Sequence, residues 1–168
     1  CALPICGTYT LADAVTIDKN RIRITEMTET DTEGEALTGG YYIEADNNYS
    51  RETYHFMSSH GNTMSVHEPD EDIMQPAQFQ YIQNTWNNME GIVFGKNYTD
   101  SEAGLRSVVD VESFLRWFLI SEFNGNTDMI CQVFLYKERG DDHFYTGPVW
   151  DADLTIKNDI TTYPANER

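Results

Sequence analysis

Two acidic groups near the end of the chain carry residue types and a spacing that could do chemistry: Asn126-Thr127-Asp128 and Trp150-Asp151-Ala152-Asp153. Asp128 and Asp151 lie 23 residues apart. Between them, the apolar run Val133-Phe134-Leu135-Tyr136 is broken by Arg139-Gly140-Asp141-Asp142 and followed by Phe144-Tyr145. This reads as strand, turn, strand. A hairpin folds the chain back on itself, so Asp128 at its start and Asp151 and Asp153 at its exit could share one pocket. Phosphoryl transfer needs that division of labour: one carboxylate orients the attacking hydroxyl, and another holds the magnesium that neutralises the phosphates.

The elements that must position these groups can be read from spacing. Asp110 is a plausible N-cap, with Glu112 in the first turn, for a helix running through Phe114-Leu115, Phe118-Leu119 and Phe123. Gly125 suits its C-terminal cap, so the loop 124–127 would deliver Asp128 just after a rigid, buried helix. Upstream, Pro76 opens a second helix whose stripe is Phe79, Ile82, Trp86, Met89 and Val93, at spacings of three and four. The first half is strand-rich. Tyr9 and Leu11, then Val15 and Ile17, read as strands, and Arg21-Ile22-Arg23-Ile24 alternates with the period of a half-buried strand. Glu26 to Glu35 is an acidic, Thr-rich solvated loop, and Gly39-Gly40 ends it. Tyr41–Glu44, Tyr54–Met57 and Met64–His67 are three further strands, the last two flanking a turn at 58–62.

Composition bounds the function. The chain has 168 residues, 40% hydrophobic and 12% aromatic, which suits one folded domain with a core. Eleven basic against 28 acidic residues give a net charge of −17. That balance argues against nucleic acid as a partner and has two readings: a solvated acidic surface, and a surface that attracts basic protein segments, with divalent cations offsetting the acidic cleft. No apolar run reaches the ~20 residues of a membrane span. No signal segment is visible. Cys1, Cys6 and Cys131 lack the spacing of a zinc site. A Cys1–Cys6 bridge and packed thiols are both open. His55, His60 and His67 show no ligand-like pairing and read as structural or surface residues.

Several segments occur in an order that resembles the spore-coat protein H (CotH) kinase family. They are Gly7-Thr8-Tyr9-Thr10-Leu11 continuing to Lys19-Asn20-Arg21-Ile22, and Thr38-Gly39-Gly40-Tyr41-Tyr42-Ile43-Glu44-Ala45-Asp46. Glu68-Pro69-Asp70 and Asp110-Val111-Glu112-Ser113-Phe114 follow, then Glu122-x-x-Gly125-Asn126-x-Asp128 and Gly147-Pro148-Val149-Trp150-Asp151-x-Asp153. No piece is specific alone, but their joint register covers Gly7 to about Asn158. The resemblance implies an α+β, atypical protein-kinase-like fold: a strand-rich N-terminal part, two main helices and a C-terminal catalytic hairpin. It also implies that residues 1–168 are one partial domain, with parts missing at both ends, from a secreted, cell-surface or spore-associated protein.

The implied activity is transfer of the ATP γ-phosphate to Ser or Thr of a protein, with Mg2+ or Mn2+. Asp128 would be the catalytic carboxylate, and Asp151 with Asp153 the metal ligands. Lys19, Arg21, Glu44, Asn126 and Gln132 would serve the nucleotide. Glu44 and Asp46 have two open readings, a charge partner or ligand and an edge-strand carboxylate. Three departures from the family pattern bear on activity. His67 stands where relatives often carry Lys, Asp13 where they more often carry Glu, and Val133 where kinases of the common type place a metal-binding Asn, with Gln132 just before it. Two other classes compete: a catalytically degenerate surface-binding or scaffold module, and a divalent-cation-binding structural domain with calcium as a candidate ion. Retained Asp128 and Asp151 favour the enzyme, and His67 favours the binder.

Overall fold

The computed structural model describes residues 15–152 and 154–156. Readings that fall on Tyr9, Leu11, Asp13, Cys1, Cys6 and Asp153 lie outside these residues. Five strands form one antiparallel sheet: β1 (Tyr41–Asp46), β2 (His55–Met57), β3 (Thr63–Glu68), β4 (Gln132–Lys137) and β5 (Tyr145–Thr146). Their order across the sheet is β2-β3-β1-β4-β5. Among the described residues two α-helices complete the α+β architecture, α1 (Pro76–Val93) and α2 (Val111–Asn124).

β1 alternates its side chains between two apolar layers, as a strand must. Tyr41 and Ile43 join Met64, Val66, Leu135, Ile82, Trp86, Met89 and Phe144 in the main core. Tyr42 faces the other way, into a smaller cluster with Phe134, Ile22 and Ile24. β1 is therefore a central strand, which removes the edge-strand reading of Glu44 and Asp46. The Gly39-Gly40 pair that precedes it has a steric cause. A Cβ on Gly39 would stand 2.1 Å from the Glu138 backbone, and Gly40 has a φ of +99°.

Helix α1 bears out the stripe, with Ile82, Trp86 and Met89 buried. Pro76 stands at its first turn, and the Gln75 N–H donates to Gln78 Oε1 at 2.8 Å. Gln78, wholly buried, donates in turn to the Thr28 carbonyl at 2.8 Å and so pins the acidic loop to the helix. Buried Glu90 accepts from Ser58 Oγ at 2.8 Å, Asn62 Nδ2 at 2.6 Å and Trp86 Nε1 at 2.8 Å, holding the β2–β3 turn.

Two expectations are corrected. Residues 21–24 form no strand of the sheet. Ile22 and Ile24 are buried and Arg21 and Arg23 exposed, as the alternation requires, but the segment's bridge is to Ile17 within its own turn. It is a strap across the second face of the sheet. Helix α2 is not a buried helix. Leu115, Leu119 and Ile120 are at least half exposed and Phe123 is 91% exposed. An apolar groove of about 430 Å³ runs beside them, lined in part by Trp86, Val109, Phe114 and Trp117.

Candidate active site

The hairpin β4–β5 forms as read, with Leu135 opposite Thr146 and Tyr136 opposite Tyr145. Its start is set by α2. Asp110 caps that helix, its side chain accepting from the Ser113 N–H at 2.7 Å. Gly125 ends it in the left-handed region, at φ 64°, where a side chain would be strained. The Asn126 N–H returns to the Ser121 carbonyl at 2.9 Å. Asn126 is buried, and its Oδ1 accepts from the Asp128 N–H at 3.0 Å. Asp128 is thus placed by a cap, a glycine and an Asx turn, four residues before β4 begins.

After β5 the chain runs back along β4 toward its starting end. The Gly147 N–H donates to the Phe134 carbonyl at 2.7 Å, and Trp150 sets its ring edge-on to Phe134 at 5.9 Å. Asp151 follows, exposed, with a φ of +49°. The Ile156 N–H then donates to the carbonyl of Asn124, the last residue of α2, at 2.9 Å. This bond ties the segment after Asp151 to the segment before Asp128.

The floor beside this hairpin is the second face of the sheet. A groove of about 490 Å³ is lined by Tyr42, His67, Glu68, Phe134 and Trp150, under a roof of residues 15–17 and Ile22. A neighbouring groove of about 440 Å³ shares Val15, Thr16, Ile22 and Trp150 and adds Arg21. Tyr42 and Phe134 stack at 5.2 Å with nearly parallel rings. The Tyr42 hydroxyl is buried and has no hydrogen-bond partner among the described residues. Burial is the first cause, and the Glu44 charge the second, that hold this phenol far above its ordinary range.

His67 belongs to this groove, although it was read as a structural or surface residue. The register of β1 against β3 shifts between Tyr42 and Ile43, and such a bulge re-aims a side chain. The His67 Nε2 meets Glu44 Oε2 at 2.7 Å. Burial opposes the imidazolium, but the hydrogen bond and charge of Glu44, with Glu52 and Asp46 behind it, raise the His67 pKa. In the sequence, the one signal for this pair is that His67 departs from the pattern the family resemblance implies.

The remaining candidates are dispersed. Lys19 lines a different groove from Arg21, shared with Asp18, Glu138 and Asp141. Asp46 closes a local turn, accepting from the Asn48 N–H at 2.7 Å. Gln132 opens β4 opposite Asp46. Among the described residues no group of three His, Cys, Asp or Glu is clustered to hold a metal ion. Magnesium needs only one or two carboxylates beside phosphate oxygens, so a single hard oxygen donor such as Asp151 suits it. The orphaned Tyr42 hydroxyl and the aromatic groove likewise suit a planar, polar ligand such as a nucleoside.

The family model described as CotH kinase protein matches residues 6–167. The chain belongs to the CotH kinase family. Searches of curated proteins and of solved structures found no match. The α+β fold, with its five-stranded antiparallel sheet and two helices, is compatible with a CotH domain. No helix among the described residues is long and apolar enough to cross a membrane.

Proposed function

We propose that this CotH domain is an atypical protein kinase that transfers the ATP γ-phosphate to Ser or Thr of a spore-associated or surface protein. The observation that supports the reading most is the Ile156–Asn124 hydrogen bond, which ties the segment after Asp151 to the segment before Asp128. Asp128, held by Asn126, accepts a hydrogen bond from the substrate hydroxyl and orients it for in-line attack. Asp151 would hold the divalent ion, with Asp153 as the second candidate. When bound, that ion neutralises phosphate charge. Tyr42, Phe134 and Trp150 offer a wall for a nucleobase, and Arg21 a cation beside it. The −17 charge favours a basic substrate segment.

The test is phosphate incorporation from labelled ATP into a Ser-rich, basic peptide. Asp128→Asn keeps the shape but loses the charge that draws the hydroxyl. It should lower kcat by about 100-fold or more and leave nucleotide binding nearly unchanged. A parent that binds nucleotide and transfers nothing would overturn the kinase reading in favour of a binding module.

A further inference from the structure

The bulge in β3 sets two successive polar side chains toward one groove. Tyr42 of β1 stands opposite Glu68, while the next pair is Ile43 with Val66, so His67 is the extra residue. His67 and Glu68 both line the aromatic groove of about 490 Å³, as Tyr42 does. Residues directly opposite in an antiparallel pair face the same side, so the Tyr42 phenol and the Glu68 carboxyl are neighbours there. Tyr42 is 6% exposed, and its hydroxyl has no hydrogen-bond partner among the described residues. A buried donor left unpaired costs stability. Burial first, and the Glu44 charge second, hold the phenol in its protonated form, so it remains a donor. Burial, then Asp70, raises the Glu68 pKa, but a carboxyl keeps an acceptor oxygen in either protonation state.

We propose that Tyr42 and Glu68 select the base of the nucleotide, the Tyr42 hydroxyl donating to ring nitrogen N1 of adenine and Glu68 accepting from its N6 amine. The assignment rests on the nucleotide reading of this groove and adds the atoms that choose the base. Adenine carries that acceptor and that donor side by side on one edge, and a base held between apolar walls is read at its edge. The stacked Tyr42 and Phe134 rings, with Trp150 edge-on to Phe134, supply the walls. His67 is not one of the two readers, because its Nε2 is already on Glu44 at 2.7 Å. Residues 15–17 and Ile22 roof the groove, so the base enters beneath the strap. A site whose buried polar group pairs only with the right ligand rejects an analogue that lacks the matching atom.

Tyr42→Phe keeps the ring and removes the unpaired hydroxyl. Without ligand, the variant should unfold at a Tm equal to or above that of the parent. A lower Tm would mean that the hydroxyl already has a partner within the protein, and overturns the proposal. Calorimetric titration of the full chain with magnesium and ATP should give a Kd about tenfold weaker for Tyr42→Phe. The analogue 1-deaza-ATP, in which C–H replaces N1, should bind parent and variant alike. The variant losing affinity equally for both nucleotides overturns the N1 contact, because two partners of one bond cannot lose it twice.

Glu68→Met applies the same logic to the amine. It should weaken ATP about tenfold, whereas the triphosphate of purine riboside, with hydrogen in place of the amine, should bind parent and variant alike. Equal losses for the two ligands overturn the Glu68 contact. A parent that binds GTP more tightly than ATP overturns the adenine assignment. None of these measurements reads phosphate transfer. A parent that binds ATP with both couplings and transfers nothing fails the kinase reading alone, and a parent that binds no ATP overturns the base-reading pair.

Discussion

His67 Nε2 lies 2.7 Å from Glu44 Oε2, joining the bulge of β3 to the central strand β1 beneath the aromatic groove. The pair ties stability to pH. Because the fold raises the His67 pKa above its ordinary 6.5, protonation is favoured in the folded state. The stabilisation is therefore present in full below the unfolded value and is lost as pH rises through the folded value. Urea midpoints taken at pH 5.5 and 8.5 should show the parent losing more stability across that range than Glu44→Gln. His143, raised in the same direction mainly by Asp141, contributes to both proteins alike and cancels in the comparison. Equal losses in the two proteins would refute the coupling.

Asp151 should govern metal-dependent ligand binding. A ligand that binds only the folded state stabilises it by about 2.7 kcal/mol at a hundredfold excess over Kd. Magnesium with ATP should accordingly raise the Tm of the parent, and Asp151→Asn should remove most of that rise. An undiminished rise in the variant would place the metal on other ligands.

Glu90 carries a structural prediction remote from the groove. Its buried carboxylate gathers donors from Ser58, Asn62 and Trp86. Glu90→Ala strands all three and leaves a void, a loss of about 2–4 kcal/mol in denaturant unfolding. Glu90→Gln keeps an acceptor and should lose less. A neutral Glu90→Ala would mean that water or a shifted turn takes over those donors.

Locally encoded features were legible in the sequence. The Asp110 cap, the Gly125 terminus, Pro76 at the first turn of α1 and the β4–β5 hairpin depend on neighbours a few residues away, and each stands where its residue type suggested. The Glu44–His67 pair was not legible, because 23 residues separate the partners and a bulge decides which way His67 points. Residues 21–24 show a related limit. Alternation told which side chains are buried but not whether the backbone finds a partner strand. For α2 the apolar residues Phe114-Leu115, Phe118-Leu119 and Phe123 suggested a buried helix, yet such a pattern carries no information on whether anything lies against it, and Leu115, Leu119 and Phe123 are exposed. Lys19 and Arg21 are near in sequence but line different grooves, since the turn that joins Ile17 to Ile22 sends them apart.

The pairing of β1 with β4 runs unbroken from Tyr41–Lys137 to Asp46–Gln132. The strand that bears Glu44 and the hairpin that begins after Asp128 are consequently one plate, with no joint between them. Among the described residues, the strap 15–24 meets this plate by packing rather than by strand pairing, through Val15, Ile17 and the buried Ile22 and Ile24, with the Thr25 N–H on Glu138 at 2.8 Å just beyond its end. Fraying free energy follows such differences in attachment. If the groove takes a ligand, the plate at its base is already ordered, and the strap is the part with ordering left to lose.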